Sequence, residues 1–154
     1  GPAAFPVSWA GEAESQNWFD TARELTERWH HQQQIRLAVN KPGIMTPELY
    51  RPVLDCFLRG LPHLYRGVEA RADAAIEVVI SGDCGGRCCL VHRKGGWRLE
   101  EPRTKPDARI EVPQEIAWRL FTKGIAREEA AALCRFEGDR ALAEKVLQLT
   151  AIVG

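Results

Sequence analysis

The chain has 154 residues, of which 45% are hydrophobic and 27% charged, the composition of one globular domain or of a domain with an appendage. Its 21 basic and 21 acidic residues cancel to a formal net charge of zero, so there is no global electrostatic case for nucleic acid or an anionic membrane as partner. No apolar run approaches the roughly 20 residues of a membrane span, the start has no basic-then-apolar leader, and five scattered cysteines, an odd number, do not form a secreted disulfide framework. The expected setting is cytoplasmic, with Cys56, Cys84, Cys88, Cys89 and Cys134 as free thiols. Gly1-Pro2 reads equally well as a native start or as a scar of tag removal.

Residues 1 to 16, with Pro2, Pro6 and Gly11, predict an extended lead-in. Asn17 is a candidate helix cap with Asp20 in the first turn, and the helix should run to about Asn40, where Asn-Lys-Pro-Gly stops it. At about 100° per residue, Trp18, Ala22, Leu25 and Trp29 form one apolar stripe. Glu27, His31, Gln34 and Ala38 lie nearly opposite, flanked by Ile35. A helix so divided is suited to lie between two partners. Thr46 and Pro47 open a second helix, with Leu49, Val53, Phe57 and Leu61 on its buried side; Gly60 and Pro62 end or kink it. The period then changes to that of strands: residues 74–82, a turn at Asp-Cys-Gly-Gly (83–86), two strands broken at Gly95-Gly96 as in a hairpin, and an alternating strand over 108–113. An amphipathic helix follows over 113–124, then a short helix or turn, a last strand over 134–138, and a final helix capped by Asp139 and running through "RALAEKVLQLTAIV". Strands in a run with helices before and after predict an α+β fold, a mixed or antiparallel sheet of about five strands preceded by one long helix.

The residues that bear chemistry are few. Glu27 and His31, at i and i+4, share a helix face, the spacing a metal-binding pair requires. A catalytic zinc site takes three protein ligands and an open position, so one helix does not complete it. His30 points about 100° away, and Gln34 is a candidate to orient the His31 ring. Cys88 and Cys89 on a strand point to opposite faces and read as small buried hydrophobes. His63 and His92 have no Ser or Asp partner in evident register for a triad, and there is no Walker loop or dinucleotide fingerprint.

Two stretches resemble known families. "ARIEV", "PQEIAWRLFTKG", "CRF", Gly138-Asp139 and "RALAEKVLQL" follow the closing half of the sterol-carrier-protein fold, and the order of elements agrees over about residues 46–154. "WFDTARELTERWHHQQQIR" resembles the last helix of a DinB-like four-helix bundle, closest in pattern to the mycothiol-dependent maleylpyruvate isomerases, which join such a bundle to a sterol-carrier-like domain. The resemblance implies a division into a lead-in and bundle helix (1–45) and a sterol-carrier-like domain (46–154). It implies that Glu27 and His31 supply two ligands to a divalent metal, expected to be zinc, in a longer parent protein, with the third ligand a histidine from an earlier helix. No tightly bound metal is expected in this chain by itself, which should be catalytically silent and act as a binding or assembly module. Its expected partners are the missing bundle helices or a second copy of the chain, forming a dimer through Glu27, His31, Gln34, Ile35 and Ala38, while Trp18, Leu25 and Trp29 pack on the chain's own domain. The sterol-carrier resemblance also implies an apolar cavity lined by Ile116, Trp118, Leu120, Phe121, Phe136, Leu142, Val146 and Leu149, and hence an alternative role as carrier of a small apolar ligand or lipid. From the residues alone, the simpler reading is that these eight fill a solid core.

Overall fold

The computed structural model describes residues 2–3, 8–11 and 15–151. A two-residue bridge between β1 (Pro2–Ala3) and β2 (Ser15–Gln16) precedes α1 (Asn17–Ala38). The helix begins at Asn17, with Gln16 in the cap position. The expected extended lead-in is partly folded: a 3-10 turn over Ser8–Ala10 brings Trp9 against Phe19, ring centroids 6.0 Å apart.

Burial along α1 differs from the sequence expectation in its phase. The buried ridge is Phe19, Thr26, Trp29, His30 and Gln33. Trp18 is 55% exposed and Leu25 36%, so of the expected stripe only Trp29 is fully buried. The reason is polar. Trp29 Nε1 donates to the Ile44 carbonyl at 3.0 Å, and the Gln33 side-chain oxygen accepts the Ile44 amide at 2.9 Å. These two bonds fix the rotation of the helix, and a count of apolar residues does not see them. Trp18 keeps a surface role: with Phe19 it flanks the Arg59 guanidinium, at 4.7 and 4.5 Å from the ring centroids.

α2 (Pro47–Leu58) follows with Pro47 in its first turn, then the short α3 (Leu61–Leu64). Val53, Phe57 and Leu61 are buried as expected, but Leu49 is exposed and its neighbour Tyr50 is buried instead. Tyr50 stacks on Trp29, with centroids 4.5 Å apart and planes within 7°. Its hydroxyl donates to the Gln114 carbonyl at 2.6 Å and accepts from the Trp118 amide at 3.1 Å. One side chain thereby joins three helices.

The strands are β3 (Ala75–Ser81), β4 (Gly86–Arg93), β5 (Gly96–Glu100), β6 (Ala108–Pro113) and β7 (Arg135–Gly138). They form a five-stranded mixed sheet in the order β5-β4-β3-β6-β7, antiparallel except for the parallel pair β3 and β6. The fold is α+β. Gly95 and Gly96 have positive φ of 99° and 127° at the β4–β5 hairpin, where glycine carries no steric penalty. Ile76, Val78, Ile80, Leu90, Ile110 and Val112 face the helices and belong to one continuous core. Ala75, Cys89 and Val91 form a small cluster of their own, and Cys88 packs against the main core. The two adjacent thiols thus point to opposite sides, as strand alternation requires.

The remaining helices are α4 (Gln114–Phe121), α5 (Arg127–Leu133) and α6 (Arg140–Glu144). Asp139 caps α6 as expected, its carboxylate accepting the Leu142 amide at 3.1 Å. Gly138 before it has φ 72°, and a Cβ there would meet the Asp107 carbonyl oxygen at 2.2 Å, so the Gly-Asp pair is a steric and capping unit. The final helix is much shorter than expected. After Glu144 the chain tightens into a 3-10 turn (Lys145–Gln148) and then extends. On a continuous α-helix, Leu147 and Leu149 would lie about 200° apart; the irregular path buries both, together with Val146 and Ala151. The last two residues of the expected helix lie outside the described residues. Among the described residues, no helix is long and apolar enough to cross a membrane.

Tyr50→Phe tests the three-helix junction. It removes the two hydroxyl hydrogen bonds, to the Gln114 carbonyl and from the Trp118 amide, without changing the ring, and should destabilise the protein by about 1–3 kcal/mol, read as a lower urea midpoint at unchanged m-value.

Candidate functional site

The outer ridge of α1 brings together the pair expected from its spacing. His31 Nε2 lies 3.9 Å from Glu27 Oε2, and His31 Nδ1 lies 3.2 Å from Gln34 Oε1. All three side chains are exposed, as are Ile35 at 57% and Ala38 on the same side of the helix. On the neighbouring ridge His30 is buried, with its ring 5.7 Å from that of His31 and 6.0 Å from that of Trp118. Burial, then the neighbouring His31, lowers the His30 pKa against the opposing pull of Glu27. His30 Nδ1 and Trp118 Nε1 are both buried without a hydrogen-bond partner. Among the described residues, no group of three His, Cys, Asp or Glu side chains is assembled around a point that could hold a metal ion. Glu27 and His31 offer two donors and an open side.

The eight apolar residues expected to line a cavity divide into two sets. Ile116, Trp118, Leu120, Phe121, Val146 and Leu149 are buried in the main core; Phe136 and Leu142 are half-buried at its margin. Trp118 meets Trp29 edge-on at 6.0 Å, and Phe121 meets Phe57 edge-on at 6.0 Å, so α4 packs against both α1 and α2 through aromatic rings. The Arg140 guanidinium covers the Phe136 ring at 4.2 Å. Leu142 lines an open cleft of about 300 Å³ with Tyr65, Val68, Ala141 and Lys145.

A second cleft, of about 230 Å³, lies between α2 and the β3–β4 turn. Leu54, Leu58, Ile80, Cys84 and Cys88 give it an apolar lining, with Arg51 and Asp55 beside them. Arg51 Nη2 donates to the Gly85 carbonyl at 3.0 Å, and burial raises the Asp55 pKa while Arg51 opposes the shift. Sequence reasoning missed this cleft. Its one signal was the ridge of Arg51, Leu54, Asp55 and Leu58 at i, i+3, i+4 and i+7, and nothing local to α2 indicates that the Gly85-Gly86 turn faces it.

The thiols in and near this cleft are structural. Cys84 Sγ donates to the Met45 carbonyl at 3.2 Å, and burial raises its pKa. Burial, with Cys89 and Asp55 nearby, pushes the Cys88 thiol up to about 12. None of the five cysteines is joined in a disulfide. Because a raised pKa empties the thiolate at pH 8, iodoacetamide at that pH should leave Cys88 unmodified in the folded protein while alkylating it fully after denaturation. A thiol count in denaturant without reductant should return five groups.

No protein-family model matches the chain, and no curated protein matches it. Among solved structures, the chain is similar to the solution structure of the sterol carrier protein domain 2 of Helicoverpa armigera, at 15% identity over 64% of this chain and 80% of that one, with a TM-score of 0.38.

Proposed function

We propose that this chain is a binding and assembly module: the sterol-carrier-like part of a mycothiol-dependent, maleylpyruvate-isomerase-like protein, carrying the last helix of a DinB-like bundle. The observation that carries the reading is the two-sided use of α1. Its inner ridge is committed to the α+β domain through Trp29, His30 and Gln33. Its outer ridge presents Glu27 and His31 facing each other, with Ile35 and Ala38 further along. A helix exposed only to solvent gains nothing from an isoleucine there, whereas a bundle helix does.

Glu27 and His31 fit a divalent metal such as zinc in their chemistry and separation. Metal–ligand bonds of about 2.0–2.2 Å place two donor atoms roughly 3 Å apart, and small side-chain rotations close the observed 3.9 Å to that span. When bound, such a metal supplies Lewis-acid polarisation of a substrate oxygen. The residues of this chain contribute by holding two donors on a rigid helix. The third ligand belongs to another bundle helix. A second reading, carriage of a small apolar ligand, is supported by the apolar cleft at Leu54, Leu58 and Ile80.

Two measurements test the proposal. Calorimetric titration of this chain with zinc should show only weak binding. The native polypeptide read upstream of Gly1 should bind zinc at submicromolar levels and lose that affinity in His31→Ala. If the chain self-associates, light scattering on Ile35→Glu and Ala38→Glu should show monomers. A dimer that survives both substitutions places the interface elsewhere and removes the bundle reading's main physical support.

A further inference from the structure

The two ring nitrogens of His31 have different neighbours. Nδ1 lies 3.2 Å from Gln34 Oε1, while Nε2 lies 3.9 Å from Glu27 Oε2. Glu27, His31 and Gln34 stand at i, i+4 and i+7, so carboxylate, imidazole and amide follow one another along a single ridge. An amide oxygen only accepts hydrogen bonds. The nitrogen it faces must therefore carry the proton, and in a neutral imidazole the other nitrogen then holds the lone pair. That nitrogen is the one beside Glu27.

We propose that Gln34 is the positioning residue of the Glu27–His31 pair: it holds the neutral His31 ring as the Nδ1–H tautomer and aims the Nε2 lone pair, with the Glu27 carboxylate, at one point where a divalent cation is received. The cation rests on the reading under "Proposed function"; the tautomer is a property of this chain alone. The three consecutive glutamines now have separate roles. Gln33 is buried and spends its oxygen on the Ile44 amide. Gln32 is exposed. Gln34 alone faces the His31 ring. Its amide oxygen orients the imidazole by accepting from Nδ1–H alone. His30 cannot stand in for His31, because its ring is buried on the other ridge against Trp118.

The test is long-range 1H–15N correlation of the imidazole nitrogens in the metal-free, 15N-labelled chain, at about pH 8.5, some two units above the ordinary histidine pKa. His92 serves as internal reference, since its Nδ1 faces the Arg71 carbonyl at 3.1 Å, an oxygen that can only accept. His31 should show the same Nδ1–H pattern. Gln34→Leu should move its two ring resonances toward the Nε2–H pattern, and Gln34→Glu, which keeps an acceptor in place, should retain the original one. In a zinc titration of the same samples the His31 Nε2 resonance should respond first, and Gln34→Leu should require about tenfold more zinc, the scale on which losing such a partner acts. An Nε2–H pattern in the unmodified chain, or one that Gln34→Leu leaves unchanged, overturns the proposal. A tautomer that follows Gln34 while zinc leaves His31 untouched upholds the positioning role and counts against the metal reading.

Discussion

Ile44 is held by both of its backbone polar groups, and the placement of α1 depends on that grip. Its carbonyl takes the Trp29 indole N–H and its amide is taken by Gln33. One turn further along the helix, Arg36 Nη1 donates to the Pro42 carbonyl at 3.1 Å. The segment after α1 thus folds back along the helix that precedes it and sets the start of α2. The Trp29 ring then stacks on Tyr50, whose hydroxyl reaches α4. Truncating a buried tryptophan costs about 3–5 kcal/mol in packing alone, and here it also strands a carbonyl. The rotation that this clamp imposes is what turns Glu27, His31 and Gln34 outward.

The sheet solves a different problem. Its helix-facing side is apolar and continuous with the core. On the other side Glu77 is buried and meets Arg109 at 3.0 Å and Arg87 at 3.6 Å. Arg109 also reaches Glu111 and Glu137, at 3.4 and 3.5 Å. The register explains the arrangement: Glu77 is paired with Arg109 across the parallel ladder, and Arg109 with Glu137 across the antiparallel one. A carboxylate in the middle of a sheet is tolerated because the neighbouring strand supplies its guanidinium. At the same end of β3, Asp107 accepts the Ala75 amide at 2.8 Å and pairs with Arg71 at 2.5 Å; the first of these bonds, then Arg71 against the cost of burial, holds its carboxyl below the usual range.

Much of this was legible in the chain because the signals were local. The strand alternation, the Gly95-Gly96 hairpin, the Thr46-Pro47 helix start and the Gly138-Asp139 cap each rest on a few consecutive residues. The i, i+4 spacing of Glu27 and His31 needed no tertiary information either. What failed was non-local. The buried ridge of α1 includes Thr26, His30 and Gln33, and what holds the last two there lies elsewhere in the chain. Gln33 bonds the Ile44 amide, eleven positions away, and the His30 ring packs edge-on against Trp118. Leu49 lost its expected place to Tyr50 for the same reason, since the tyrosine's partners lie on α4. The end of the chain departed from a regular helix because Val146, Leu147, Leu149 and Ala151 all face inward, which no single helical ridge allows.

The central claim is that α1 belongs to the cooperative core through its inner ridge while its outer ridge stays free. Native-state hydrogen exchange measures this directly. Amides over residues 26–36 should be protected to nearly the same free energy as those of β3 and β6, and Gln33→Ala should lower the protection of α1 more than that of the sheet. Exchange across α1 at the rate of a frayed helix, with the sheet still protected, would contradict the account.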